Sequence, residues 1–374
     1  MADDVEAEVQ AVPVSLGERS YNIYIGPLAE TLPATMEKLA LTPKALLVSD
    51  QKVAGLYAKQ VQQLLETSGF TVRLAVTPVG EEAKSLTVAG RLYDEAAAAG
   101  LDRNSVVVAL GGGVVGDVAG FVAATYLRGV QFIQIPTTLL AQVDASVGGK
   151  VAVNHSSGKN LIGAFYQPRA VLADVTFFKT LSARDYHSGL AEVVKHALLD
   201  GEEKLQWLEN SLDKLAACDL DLLQQVVDWC CRYKAGVVER DEHEQNERKH
   251  LNLGHTFGHA VEAWGGFSRW THGEAISIGL IAALKLSEER LACPPSLRKR
   301  VKALLAALGL PVGLPAEEPY ELASYLQQDK KSVNDKILWV LLAQPGEARM
   351  YSIHKNEDEA VCAGLVSGLT TNGF

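Results

Sequence analysis

The sequence predicts an α/β domain built on a parallel sheet, followed by an all-α domain. Three observations carry this. Short β-rich runs alternate with helical stretches through the first half, the pattern of strand–helix–strand units. From about Ser182 onward the periodicity is almost entirely helical. Within the first half, a β-branched strand at 105–110 runs straight into a glycine turn. At 374 residues the chain is long for one core, so two domains are expected, 1–181 and 182–374.

In order, 11–16 and 21–25, joined through Gly17-Glu18-Arg19, suggest an opening hairpin. Residues 45–49 read as a buried strand, and 56–67 as a helix ending at Gly69. A strand at 72–76 precedes an alanine-rich helix at 87–99, which Gly100 stops. Strands at 132–135 and 170–173 complete the sheet. Beyond the boundary, 188–208, 220–240, 251–264, 273–291 and 295–308 read as helices. Only 337–342 and 350–353 look extended there.

Composition excludes several classes of function. A net charge of −10 with no basic tract argues against nucleic acid and anionic membrane surfaces. No apolar run is long enough to span a bilayer. The five cysteines are odd in number and lack zinc-finger spacing, so they read as reduced thiols of a cytoplasmic protein. The acidic start, Met1-Ala2-Asp3-Asp4, resembles neither a signal nor a transit peptide.

Gly111, Gly113 and Gly116, followed by Asp117, fit G-x-G-x-x-G between a strand and a helix start. Such a turn lets backbone N–H groups and the helix N-terminus approach a diphosphate. The strand is not the first, however, and no acidic residue lies about 20 positions on. A plain strand-to-helix turn is the alternative. Asp50, at the carboxyl end of 46–49, offers a ribose partner.

A second cluster suits anions. Gly148-Gly149 can present backbone N–H groups beside Lys150, and Ser157-Gly158-Lys159-Asn160 follows. Arg128, Lys195, Lys234 and Arg248 add cations. Singly, each is as readily a solvated surface charge; together they point to a polyanionic small substrate.

The histidines carry most of the chemistry. His255 and His259 stand one helical turn apart, and His272 follows a connection long enough to reverse the chain. Glu192 supplies a carboxylate from an apolar helical stretch. Two histidines and a carboxylate with an open position make a catalytic metal site, typically zinc. Glu192 with His196, four residues on, is a competing pair. His155, His187, His243 and His354 read as structural or exposed.

These segments resemble the 3-dehydroquinate synthase family of the shikimate pathway. The resemblance rests on Leu16-Gly17-Glu18-Arg19-Ser20-Tyr21, 110–117, Pro136-Thr137-Thr138-Leu139-Leu140-Ala141, 159–165, 189–195 and Leu253-Gly254-His255-Thr256-Phe257-Gly258-His259. It implies a Rossmann-like nucleotide-binding domain, an all-α metal-binding domain, one NAD and one zinc, with cobalt possible. It implies conversion of 3-deoxy-D-arabino-heptulosonate 7-phosphate, a phosphorylated and carboxylated sugar acid, to 3-dehydroquinate.

By motif, Glu192, His255 and His272 match metal ligands. Asp144, Lys150, Asn160, Lys195, Lys234, Glu244, Arg248, Asn252 and His259 match substrate-site positions. Asp50, Glu81, Lys84, Gly111, Gly112, Gly113, Val114, Asp117, Thr137, Thr138, Lys150 and Lys159 match cofactor contacts. Arg128 matches an arginine that reaches the phosphate of a neighbouring subunit, which implies a functional homodimer.

The chain departs from the family pattern at Val151, at Ser156-Ser157 and in Glu244-Gln245-Asn246-Glu247-Arg248, where Asn246 is expected to supply a positive φ in place of glycine. Val151 also resembles valiolone-type sugar phosphate cyclases. A polyol dehydrogenase resembling glycerol dehydrogenase is the more distant alternative.

Overall fold

The computed structural model describes residues 9–315, 322–327 and 336–371. Seven strands form one sheet: β1 (Gln10–Val14), β2 (Tyr21–Ile25), β3 (Lys44–Asp50), β4 (Thr71–Thr77), β5 (Val106–Gly111), β6 (Gln131–Pro136) and, after a separate hairpin, β9 (Ala170–Ala173). Their order is β1-β2-β9-β6-β5-β3-β4, parallel throughout except for the antiparallel edge strand β1. The hairpin is β7 (Lys150–His155) with β8 (Gly158–Phe165).

Alternation within β3 shows why the sheet is buried on both faces. Leu46 and Val48 pack with Val107, Val118 and Phe132 under the helices Leu86–Ala98 and Gly113–Thr125. Ala45 and Leu47 pack on the other face with Val108, Ile133 and the helices Leu28–Lys38 and Lys59–Thr67. Continuous β-branched strands are what such a two-faced parallel sheet requires.

The chain forms two compact units. One comprises residues 9–181 together with Leu220–His243; the other comprises Ser182–Asp219 and the described residues from Glu244 on. The helix Leu220–Arg240 thus joins the first unit, where it packs along β1, and not the helical domain in which its position in the sequence had set it. The second unit is helical, with Lys336–Gln344 and Glu347–His354 pairing as an antiparallel hairpin. The single helix expected at 188–208 is two, Ala183–Asp200 and Glu202–Asn210, broken at Gly201 with φ 139°. Among the described residues no helix is long and apolar enough to cross a membrane.

Candidate active site

In the first unit, β3 and β5 are neighbours, and from them the connections run in opposite directions: β3 to β4 on one side, β5 to β6 on the other. Ligands of open α/β sheets gather at that switch point, beyond the carboxyl ends of the strands. Asp50 ends β3, Gly111 ends β5, and Thr137-Thr138 follow β6, so the predicted cofactor residues share one sheet edge. The helix Gly113–Thr125 begins there with Gly112 as N-cap and no side chain capping it. Its first N–H groups and dipole therefore fit a diphosphate. Asp50 Oδ1 accepts from the N–H groups of Lys52 and Val53 at 2.9 Å, capping its own short helix.

Beside this edge lies a connected polar network. The Lys84 ammonium pairs with Asp117 Oδ2 and donates to Asn160 Oδ1. Burial raises the Asp117 carboxyl above its ordinary range, and the Lys84 charge draws it part of the way back. Asn160, at φ 53°, donates its backbone N–H to Asn154 Oδ1 at 2.9 Å. Asn154 Nδ2 in turn donates to Glu81 Oε1 at 2.7 Å, and Lys159 Nζ lies 3.8 Å from the same oxygen. Residues expected from separate motifs thus meet through the β7–β8 hairpin, which the sequence had not revealed as a hairpin.

Lys150 opens β7 and is exposed. The two glycines before it are left-handed, with φ 95° and 67°. Gly148, however, gives its N–H to the Tyr21 hydroxyl at 3.2 Å. The expectation that both glycine amides face an anion is corrected to this extent. Lys234, carried into this unit by its helix, pairs with the Asp144 carboxylate and donates to the Asp144 carbonyl at 2.6 Å. Arg128 is exposed on a left-handed turn, with Leu127 at φ 51° and Arg128 at φ 66°. Two consecutive non-glycine residues in that region store strain of the kind found at functional sites.

The second unit holds the histidine constellation. Glu192 is fully buried on Ala183–Asp200. Its Oε1 lies 3.6 Å from His255 Nε2 and 3.2 Å from His272 Nε2, and its Oε2 pairs with Lys195. The remaining ring nitrogens explain this orientation. His255 Nδ1 is 3.1 Å from the Leu253 carbonyl, which can only accept, so Nδ1 carries the proton. His272 Nδ1 is 3.3 Å from Glu262 Oε2. Both Nε2 atoms are thereby directed toward Glu192, and the three metal-ligating atoms lie within 4.8 Å of one another. Two imidazoles and a carboxylate, each imidazole held from behind by an acceptor, suit a tetrahedral metal ion with an open position. Burial alone would lower the His272 pKa, but the Glu262 and Glu192 carboxylates lift it to about 10, so without a metal Nε2 holds a proton toward Glu192, and a metal bound there would take that proton's place.

The backbone fixes this geometry. Thr271 caps His272–Leu291 in a reciprocal box with Glu274. Arg184, on the Glu192 helix, grips Glu274 with two bonds of 2.7 Å. Gly273 donates to Ser188 Oγ at 2.9 Å, and a Cβ on it would fall 1.9 Å from the Ser188 carbonyl oxygen. Only glycine lets the helices that carry Glu192 and His272 meet so closely.

His259 stacks edge-on to His255 at 5.3 Å between ring centroids. Asn252 Nδ2 donates to Glu244 Oε1 at 2.6 Å, and Arg248 is buried. The positive φ expected at Asn246 is at Glu244 instead, φ 56°, while Asn246 has φ −133°. A second group, His259, Glu262 and His272, also has metal-binding geometry; His196 belongs to neither group among the described residues. Glu262 had not been singled out from the sequence. The signal was its spacing, three residues after His259 and seven after His255 on one helix face.

Comparisons with known proteins place the chain in one family. The family model described as 3-dehydroquinate synthase N-terminal matches residues 74–188, and that described as 3-dehydroquinate synthase C-terminal matches 189–332. The chain is 47% identical over 349 residues to the 3-dehydroquinate synthase of Desulforamulus reducens, covering 93% of this chain and 97% of that one. It is 50% identical over 342 residues to that of Pelotomaculum thermopropionicum, covering 91% and 92%. Among solved structures, a 2-deoxy-scyllo-inosose synthase complexed with carbaglucose-6-phosphate, NAD+ and Co2+ aligns with a TM-score of 0.84 at 27% identity, over 94% of this chain and 99% of that one. A 2-epi-5-epi-valiolone synthase from Streptomyces hygroscopicus subsp. jinggangensis with NAD+ and Zn2+ bound aligns at 0.83 and 27%, over 95% and 99%.

Proposed function

The chain belongs to the 3-dehydroquinate synthase family, and from that premise we propose how its residues convert 3-deoxy-D-arabino-heptulosonate 7-phosphate to 3-dehydroquinate and phosphate. The reaction is a carbon–oxygen lysis coupled to ring closure, a step of the shikimate pathway. The observation that carries the reading is the pair of histidines whose Nδ1 atoms are both held from behind, aiming Nε2 at buried Glu192.

Glu192, His255 and His272 would hold the metal, zinc or cobalt, and the Gly111–Gly113 turn with Val114, Asp50, Thr137 and Thr138 would hold NAD. When bound, NAD supplies reversible hydride transfer at carbon 5 of the substrate, and the metal supplies Lewis acidity to the neighbouring oxygens.

The remaining work falls to the protein's own groups. Lys150 offers the substrate phosphate a point charge. Asn160 has its carbonyl oxygen occupied by Lys84, which leaves its Nδ2 amide to donate to a phosphate oxygen. That phosphate's own oxygen takes the carbon-6 proton as the leaving group departs. The Arg248 guanidinium, with its planar fork, suits the substrate carboxylate, and Lys234 adds charge. Lys195 and His259 relay protons at the reacting hydroxyls. Arg128, presented outward on its strained turn, reaches the substrate phosphate of a second copy in a homodimer. The division of labour assigns NAD to the unit of residues 9–181 with Leu220–His243, and the metal to the unit of Ser182–Asp219 with the described residues from Glu244 on. The thiols of Cys218, Cys231 and Cys293, outside any disulfide, suit a cytoplasmic location.

One departure lies in the core. Val151, which replaces the usual threonine, is 3% exposed and packs in the core with Phe132 and Val118. The substitution there is a matter of packing and does not bear on the product; the intact Gly254-His255 and Gly258-His259 pair, with 47–50% identity to 3-dehydroquinate synthases, favours dehydroquinate over a valiolone-type product. Incubation with the heptulosonate phosphate and identification of the carbocycle by NMR tests this. 3-Dehydroquinate is expected; a valiolone-type product, or none, would overturn the reading.

A further inference from the structure

The motif Leu16-Gly17-Glu18-Arg19-Ser20-Tyr21 lies at the opposite end of the sequence from the metal ligands and carries no part of the chemistry above. Its side chains nevertheless converge on the two glycines before Lys150. The Tyr21 ring is buried, 4% exposed, and its hydroxyl accepts the Gly148 N–H at 3.2 Å. Arg19 grips Glu242 with Nε at 3.2 Å and Nη2 at 2.7 Å. Glu242 Oε1 also accepts from Gln167 Nε2 at 3.0 Å. The Gln167 side chain closes against Gly149 so tightly that a Cβ there would lie 2.7 Å from its Oε1. The Gly149 carbonyl is held by the Tyr166 N–H at 2.7 Å.

Two successive left-handed residues have no helix or strand to fix them, and a mobile glycine pair would let Lys150 wander. Here the pair is pinned from one side by Tyr21 and from the other by the Arg19–Glu242–Gln167 chain. We infer that Tyr21 is a positioning residue for Lys150: its hydroxyl fixes the Gly148-Gly149 turn that aims the Lys150 ammonium at the leaving phosphate, with Arg19 and Gln167 bracing the same turn. The inference rests on the reading that Lys150 meets that phosphate. A point charge contributes to catalysis only when preorganised where charge develops, so loosening its base lowers turnover without removing any group that touches substrate.

The test is a double-mutant cycle on the holoenzyme, with Tyr21→Phe, Lys150→Ala and the double variant. Tyr21→Phe keeps the buried ring and removes the hydroxyl that accepts from Gly148, so turnover should fall roughly 10-fold. NAD retention and metal content should stay near wild type, and the melting temperature should fall by only the few degrees that the lost Gly148 hydrogen bond costs. In the Lys150→Ala background the same change should have no further effect, because the group it positions is gone. Fully additive losses would make Tyr21 a structural residue and overturn the inference, as would wild-type turnover in Tyr21→Phe. If Lys150→Ala alone keeps wild-type phosphate release, it is the assignment of Lys150 to the phosphate that fails. A melting temperature that falls by more than those few degrees in Tyr21→Phe and recovers with turnover in stabilising buffer would also overturn it.

Discussion

Glu262 Oε2 lies 3.3 Å from Nδ1 of His272, on the far side of the ring from Glu192. A buried carboxylate there fixes both the tautomer and the plane of the imidazole, and it makes the opposite nitrogen a better donor. Glu262→Gln should therefore weaken metal binding about 10- to 100-fold while leaving one metal per chain at saturation. Competition with a chelator measures this. An unchanged dissociation constant would remove Glu262 from the design; complete loss of metal would make it a ligand, in the second group it forms with His259 and His272.

His272→Ala removes one of the proposed ligands itself. Metal content should drop to background and turnover with it, while the fold persists, because His272 sits at the first position of a helix whose cap is made by Thr271 and Glu274. Stoichiometric metal by mass spectrometry of the native protein, with full turnover, would contradict the ligand set.

Gly273→Ala tests how the ligands are held. The added methyl would meet the Ser188 carbonyl oxygen at 1.9 Å, so the two helices must part. Overpacking of this kind costs about 1–3 kcal/mol or more. A lower melting temperature and weaker metal binding should appear together. A stable variant with native affinity would show that the close approach is not needed.

The Arg19–Glu242 pair gives a pH signature. The Arg19 hydrogen bond holds the Glu242 carboxyl below its ordinary range, with burial opposing. A folded-state pKa below the unfolded one contributes stability that is present above the unfolded value, 4.5, and lost as pH falls through the folded value. Arg19→Gln should thus lower the melting temperature slightly at pH 7 and by progressively less as the medium is acidified below 4.5. The pair is partly exposed, so salt should shrink the effect too. A difference that grows on acidification would contradict the assignment.

Much of this was legible in the sequence, and the exceptions have physical causes. The glycine turn and the His255–His259 spacing are local patterns, so they survive without the fold. Glu262 did not stand out, because a single glutamate on a helix face is ordinary until a histidine from another helix is brought against it. The β7–β8 hairpin was hidden because its lysines and glycines read as an anion loop. The helix Leu220–Arg240 showed an apolar face, but amphipathicity does not say which layer the face covers. That helix places Lys234 against Asp144, a pairing between residues 90 positions apart.

The most direct test of the central claim, that hydride is borrowed and returned within one phosphate-eliminating cycle, is to supply the heptulosonate phosphate with NAD far below substrate concentration. Phosphate and the absorbance of reduced nicotinamide are then followed together. The account predicts phosphate release that greatly exceeds the NAD supplied, with no accumulating NADH. Phosphate release that stops at one per NAD, or NADH that accumulates without phosphate, would contradict it.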